Sequence, residues 1–195
     1  MIQFPLPLIG LCAYSGTGKT TLLTRLIPIL KQKDLRIGVV KHAHHNFDID
    51  HPGKDSYEFR QAGAEQVAVA SHKRIAWIKE HQEDNKEPAL SDALSALDIN
   101  DLDLVIAEGF KSENFAKIEL HRPSLGKPLL CTHDKNIIAL ATDASVTATP
   151  VPQLLDLNNV DEIAEFIISY VKATLTNSHK ALRAFKRTDS RHVSR

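Results

Sequence analysis

Two cysteines in 195 residues, without any CxxC-type spacing, leave nothing from which to build a disulfide framework or a cysteine zinc site. Cys12 and Cys131 both lie in apolar runs and read as small core residues in a reducing compartment. Neither sign of charge prevails, since 24 Lys and Arg balance 24 Asp and Glu. Composition therefore gives no reason to expect nucleic acid or a membrane surface as partner. The opening "MIQFPLPLIGLCA" has no basic start, holds two prolines and is too short to span a bilayer. The expected location is the cytoplasm. No internal repeat is visible. With 43% hydrophobic and 25% charged residues, the chain suits one globular domain with a sizeable core. Its charge is uneven, however. Residues 179–195 carry six basic side chains (Lys180, Arg183, Lys186, Arg187, Arg191 and Arg195) against Asp189 alone. This pattern predicts a folded domain over 1–174 and a basic, disordered tail over 175–195.

Strand and helix signals alternate along the chain. Leu6–Ala13 reads as a buried strand, and Lys19–Lys33 as a helix with Leu22, Leu23, Leu26, Ile27 and Leu30 at helical spacing. Pro28 is expected to kink or break it. Arg36–Lys41 predicts a second strand, Asp55–Ala62 a short helix, and Gln66–Ala70 with Arg74–Lys79 an antiparallel hairpin. Further on, Pro88–Leu97 reads as helix. Leu102–Ala107, Lys117–Leu120, Leu129–Thr132 and Ile137–Ala141 read as strands. A last helix opens near Asn159, with Glu162 as its capping-box partner, and runs to about Thr174. Such alternation predicts a mainly parallel, twisted sheet with helices on both faces, to which the hairpin is added.

Between the first strand and the first helix stands "AYSGTGKT" (Ala13–Thr20), which lacks the first glycine of the pattern G-x-x-x-x-G-K-[S/T]. The parts that touch phosphate are intact. Gly16 and Gly18 permit the backbone turns that point consecutive N–H groups inward, with a helix N-terminus behind them. Lys19 is placed for the outer phosphates, and the Thr20 hydroxyl for Mg²⁺. Ala13 ends the strand, where one methyl fits if its backbone keeps negative φ. The expected fold class is thus α/β of the P-loop NTPase type. Magnesium calls for an acid at the end of a neighbouring buried strand, and "LDLVIAEGF" offers Glu108, which holds the metal or orients an attacking water. Asp103, at the other end of that strand, reads as a solvated strand-start acid.

The segment "KHAHHNFDIDHPGKDS" (Lys41–Ser56) gathers His42, His44, His45 and His51 with Asp48 and Asp50. It lacks the i, i+4 histidine spacing of common catalytic zinc sites and any cysteine of a structural one. It reads instead as a functional loop at the sheet edge where α/β folds bind ligands. Asp50 is a candidate for Mg²⁺, while the histidines, Lys41 and Lys54 suit an anionic partner.

Taken in order, "AYSGTGKTTLLTRLIP", "GVVKHAHHNFDIDHPGKDSYEFRQAGA", "LDLVIAEGFK" with "AKIEL", and "LLDLNNVDEIAEFI" resemble the MobB family of molybdopterin-guanine dinucleotide biosynthesis adapters. The likeness spans about Leu6 to Val171. It implies a dimeric, GTP-binding and Mg²⁺-dependent protein with feeble intrinsic GTPase activity. Such a protein assists the MobA guanylyltransferase in joining GMP to molybdopterin or its molybdenum-loaded form. Carried over to this chain, Ser15, Gly16, Thr17, Gly18, Lys19, Thr20 and Thr21 should hold the phosphates. Glu108 matches the family's acid-glycine pair. The segment with His42, His44, His45 and Lys54 matches its signature loop and should recognise pterin or partner.

The N-K-x-D motif of many GTP-binding proteins is missing. A guanine reader must accept from N1–H and the exocyclic amine, as a carboxylate does, and Asp143 beyond the strand Ile137–Ala141 is the candidate. The hairpin's "VAVA" and "IAWI" are too apolar for an open edge, and taken with the dimeric state that the resemblance implies they place the hairpin in a symmetric homodimer interface with Trp77 as anchor. A small-molecule kinase and a nonenzymatic nucleotide-binding scaffold share the loop. The kinase reading lacks an Arg-bearing lid between the core elements.

Overall fold

A computed structural model describes residues 2–43, 47–81, 87–146 and 152–189, with side chains up to 176. In chain order its elements are β1 (Leu8–Cys12), α1 (Lys19–Gln32), β2 (Ile37–Lys41), α2 (Asp55–Gln61), β3 (Gln66–Ala70) and β4 (Ile75–Lys79). They continue with α3 (Leu90–Ser95), β5 (Leu104–Glu108), β6 (Lys117–His121), β7 (Ile137–Thr142), β8 (Gln153–Asp156) and α4 (Val160–Asp189). The chain divides into two compact units: residues 43–89, and the remainder of the chain.

The larger unit is a six-stranded sheet in the order β2-β5-β1-β6-β7-β8, in which every neighbouring pair is parallel. Alternation along β1 divides its side chains between two layers. Ile9 and Leu11 pack in a cluster with Leu22, Leu26 and Leu30 of α1 and Ile163 and Ile167 of α4. Leu8 belongs to a second cluster with Val105, Phe110, Phe115 and the α3 residues Leu90 and Leu94. Burial on both faces explains why β1 and β5 read as continuous apolar runs.

Gly10 of β1 is small because its neighbours leave no room. A Cβ there would lie 2.7 Å from Lys117 Cγ and 2.7 Å from the Phe115 ring. Lys117 is only 1% exposed. Its ammonium reaches Asp134 and the carbonyls of Lys111 and Glu113, each at 2.7 Å. A buried charge is tolerable when it is paired and its protons are all placed, as they are here.

Several expectations need correction. Leu129–Thr132 is a turn, not a strand: the fully buried Glu119 carboxylate accepts from the backbone N–H of Leu130 (2.8 Å) and Cys131 (2.7 Å), which takes those donors from any ladder. Pro28 lies inside a helix that continues to Gln32, because at an exposed position it removes one hydrogen bond without disturbing the packed face. The strand β8 was not read from sequence. Only Leu155 of its four side chains is buried, so no alternation announces it. The N-terminus of α4 is half a capping box: Asn159 Oδ1 accepts from Glu162 N (3.2 Å), while Glu162 reaches past it to Asp156 N (3.1 Å). The helix runs on to Asp189, beyond the expected end near Thr174.

The smaller unit holds α2 and an antiparallel pair, β3 with β4, registered Val67 opposite Ile78 and Ala68 opposite Trp77. Among the described residues, no helix is long and apolar enough to cross a membrane.

Gly10→Ala should lower stability by about 1–3 kcal/mol, the usual cost of overpacking, since Lys117 and Phe115 must both shift. For a chain of this size the midpoint of thermal unfolding should fall by roughly 2–4 °C per kcal/mol. An unchanged melting temperature would mean that the contact relaxes freely.

Candidate functional site

The loop that follows β1 closes on itself. Thr17 is buried, and its hydroxyl donates to the Tyr14 carbonyl at 2.8 Å. Gly16 (φ 82°) and Gly18 (φ 102°) adopt left-handed backbone, the conformation their missing Cβ permits. Gly18 caps α1 and has no side chain of its own to compete for the N–H groups at that helix end. Ser15, Gly16, Thr20 and Thr21 face solvent. An anion is the natural partner of this arrangement.

Ala13 stands where the loop pattern has glycine, at no cost in strain. It is fully buried, and Asp34 is the one non-glycine residue with positive φ among those described. The Ala13 carbonyl accepts from the Lys19 ammonium at 3.4 Å. Lys19 also stands 3.9 Å from Glu108 Oε1, and Lys41 is 3.9 Å from Glu108 Oε2. The Lys19 and Glu108 side chains are 16% and 14% exposed. Burial pushes the Lys19 pKa below its ordinary value, against the upward pull of Glu108.

Strand register creates this pairing. In the ladders, Leu11 and Lys41 both sit opposite Glu108, which places the acid between the loop strand and β2. The next residue, Gly109 (φ 94°), lets the chain turn against His42: a Cβ there would lie 3.0 Å from His42 Cβ and 3.2 Å from its carbonyl oxygen. His42 donates its backbone N–H to the Glu108 carbonyl (2.8 Å) and stacks on Phe110 at 5.2 Å. This candidate recognition residue thus also packs beside the acid. His44 and His45 lie outside the described residues.

Asp143, the guanine candidate, follows β7 and is ion-paired to Arg122, whose Nε donates to the Thr17 carbonyl at 3.0 Å. No motif flagged Arg122. Its one sequence signal is its place, the first residue past a buried strand and just before Pro123.

Asp50 and Lys54 belong to the smaller unit. Lys54 is exposed at the start of α2. Asp50 shares the largely buried Arg60 guanidinium with Asp48 (2.7 Å) and Glu80 (2.6 Å). Burial raises the Asp50 carboxyl, but hydrogen bonds from Arg60 and Ser56 outweigh it and hold the group below its ordinary range. The same contacts, Glu80 foremost, raise Arg60. Asp50 is therefore engaged within its own unit.

Among the described residues, no three His, Cys, Asp or Glu side chains converge as a metal cage. A magnesium site needs none, because Mg²⁺ keeps waters and takes one or two protein oxygens plus substrate phosphates. The Thr20 hydroxyl and Glu108 carboxylate are oxygen donors of that kind.

A phosphate-type loop between a buried parallel strand and a helix, with an acid at the end of the adjacent strand, defines a P-loop NTPase-like α/β protein. Comparison with known proteins narrows this. The model of the family MobB, molybdopterin guanine dinucleotide synthesis protein B, matches residues 8–143. The molybdopterin-guanine dinucleotide biosynthesis adapter protein of Escherichia coli K12 is 44% identical over 168 residues, covering 86% of this chain and 94% of that protein. The protein of the same description from Haemophilus influenzae is 41% identical, with coverage of 85% and 90%. A crystal structure of molybdopterin-guanine biosynthesis protein B superposes with a TM-score of 0.65 at 30% identity, over 85% of this chain and 99% of that one. The chain belongs to the MobB family.

Arg60→Met should loosen the smaller unit, since Asp48, Asp50 and Glu80 then face one another without a counter-charge. Hydrogen exchange should speed up in α2, β3 and β4 and stay unchanged in β1, β5 and β6. Equal loss of protection in both units would show that they unfold together.

Proposed function

We propose that the chain is a GTP-binding, Mg²⁺-dependent adapter of the cytoplasm that assists the MobA guanylyltransferase in attaching GMP to molybdopterin. Its synthetic role follows from family membership, since MobB proteins serve molybdopterin guanine dinucleotide synthesis. The names of the E. coli and H. influenzae relatives supply the word adapter. The observation that carries the nucleotide reading is the loop closed by Thr17, with Lys19 and Glu108 side by side at one strand edge.

In this reading Ser15 to Thr21 hold the phosphates, and Lys19 exchanges the Ala13 carbonyl and Glu108 for the outer phosphate oxygens. Thr20 and Glu108 hold Mg²⁺, which neutralises charge on those oxygens. Asp143 reads guanine. His42, His44, His45 and Lys54 are the residues assigned to recognition of the pterin or the partner enzyme. Any GTP hydrolysis is weak, and Glu108 is the residue that would orient water for it.

Lys19→Ala should fold normally, yet bind GTP roughly 10- to 100-fold more weakly, because a charge-assisted phosphate contact of about 1.5–3 kcal/mol is lost. Wild-type protein added to MobA, molybdopterin substrate, GTP and Mg²⁺ should raise the yield of guanine dinucleotide, and the variant should not. Equal stimulation by both would separate the adapter role from nucleotide binding. No stimulation by the wild type would end the adapter reading.

The hairpin supports a homodimer. Ile75 is 75% exposed and Trp77 42%, and Val69 is exposed on the opposite face of the same pair. A two-stranded pair that leaves apolar side chains exposed is marginal in water, so a second copy is the natural cover. Ile75→Glu and Trp77→Lys, both on one face of the pair, should convert a dimer to a folded monomer by sedimentation equilibrium, with unaltered circular dichroism. A monomeric wild type, or both variants remaining dimeric, would reject this interface.

A further inference from the structure

The end of β6 carries an arginine that joins two parts of the proposed nucleotide site. Arg122 Nε donates to the Thr17 carbonyl at 3.0 Å, and its Nη1 donates to Asp143 Oδ2. Its Nη2 lies 4.0 Å from where a Cβ on Gly18 would stand. One rigid planar group therefore spans the second half of the phosphate loop and the acid beyond β7. Arginine suits this because its donors sit in a fixed fork, so two acceptors held at once are held at a fixed separation.

The arrangement leaves both functions of the site open. A phosphate loop uses its N–H groups on the anion, and Arg122 takes a carbonyl, so it braces the loop without competing for ligand. A carboxylate has about four lone-pair positions. The contact with Arg122 occupies one, leaving Oδ1 and part of Oδ2 for the N1–H and exocyclic amine of guanine. The N-K-x-D motif is absent from the chain, so the position of Asp143 relative to the phosphates must be set from elsewhere in the fold. Beyond β7 the acid stands on a connecting segment, where its own backbone alone does not fix the carboxylate.

We propose that Arg122 is a positioning residue for base selection, tying the Asp143 carboxylate to the phosphate loop so that guanine and phosphates are gripped at a set spacing. This rests on the GTP-binding reading and on Asp143 as guanine reader. The nucleotide class it favours is guanine over hypoxanthine or adenine, because only guanine offers both donors to one carboxylate.

The test is calorimetric titration of GTP, ITP and ATP, each with Mg²⁺, on the wild type, Arg122→Gln, Arg122→Lys and Asp143→Asn. ITP keeps the N1–H of GTP and lacks the exocyclic amine. The wild type should prefer GTP over ITP by at least about tenfold, the discrimination of one hydrogen bond to a charged acceptor. Arg122→Gln should bring that ratio towards one while the affinity for ATP, which offers the carboxylate neither donor, changes by less than about threefold, the mark of a lost base contact and not of a disturbed loop. Asp143→Asn should lose the same preference, and adding it to Arg122→Gln should cost no further selectivity. Lysine cannot hold both acceptors, so Arg122→Lys should give an intermediate ratio, and it decides the matter if the glutamine variant fails to fold. A wild-type GTP/ITP ratio in either Arg122 variant would overturn the proposal, as would equal weakening of all three nucleotides. Failure of the wild type to bind GTP at all would overturn the GTP reading itself and this assignment with it.

Discussion

Parallel pairing of β1 with both β5 and β6 is the constraint on which the site depends. Because every strand of the sheet runs the same way, every carboxyl end opens at the same edge. The register then does the placing: Leu11 lies opposite Glu108, and Cys12 opposite Glu119. The loop after β1, the acid ending β5, the arginine after β6 and the acid after β7 thereby become neighbours, although they are spread over some 130 residues of chain. A one-residue slip in β5 would turn Glu108 to the opposite face of the sheet and remove it from Lys19.

The same edge is stiffened from below. Lys117, Glu119 and His121 alternate along β6 and are all buried, an unusual composition for one face of a central strand. Each charge there has backbone partners. Lys117 holds the carbonyls of Lys111 and Glu113 in the segment following Glu108, and Glu119 holds the N–H groups of Leu130 and Cys131. Replacing such groups by apolar ones need not destabilise a core. What they supply here is attachment: two connecting segments near the site are pinned to the sheet through side chains that cannot move without leaving a charge unpaired. Cys12, on the same face, shows how shielded this layer is, since burial pushes its thiol up to about 12. It is a packing residue and not a nucleophile.

Much of this was legible in the sequence because it is local. The loop with its two glycines, the helix behind it, the acid-glycine step at Glu108 and the hairpin are each written in consecutive residues, and the structure has them where the pattern put them. Illegible features were those set by distant contacts. Leu129–Thr132 has a strand-like composition and becomes a turn because Glu119, ten or more residues away, takes its N–H groups. Arg122 looks like any charged residue after a strand until Thr17 and Asp143 appear beside it. Asp50 reads as a metal ligand within a cluster of acids and histidines, and only folding reveals Arg60 beside it. β8 escaped notice because three of its four side chains are exposed, so its pairing with β7 rests on backbone bonds that no pattern announces.

If the loop after β1 is the heart of the molecule, the phosphates must provide most of the binding free energy, and the base only the choice among nucleotides. Equilibrium titration of the wild-type protein with GTP and Mg²⁺, with GTP in chelator, and with guanosine tests this directly. The account predicts saturable binding of Mg²⁺–GTP at one site per chain, weaker binding of GTP without metal, and guanosine weaker than either by at least a hundredfold, about 2.7 kcal/mol. Guanosine binding as tightly as GTP, or no GTP binding under any of these conditions, would contradict it.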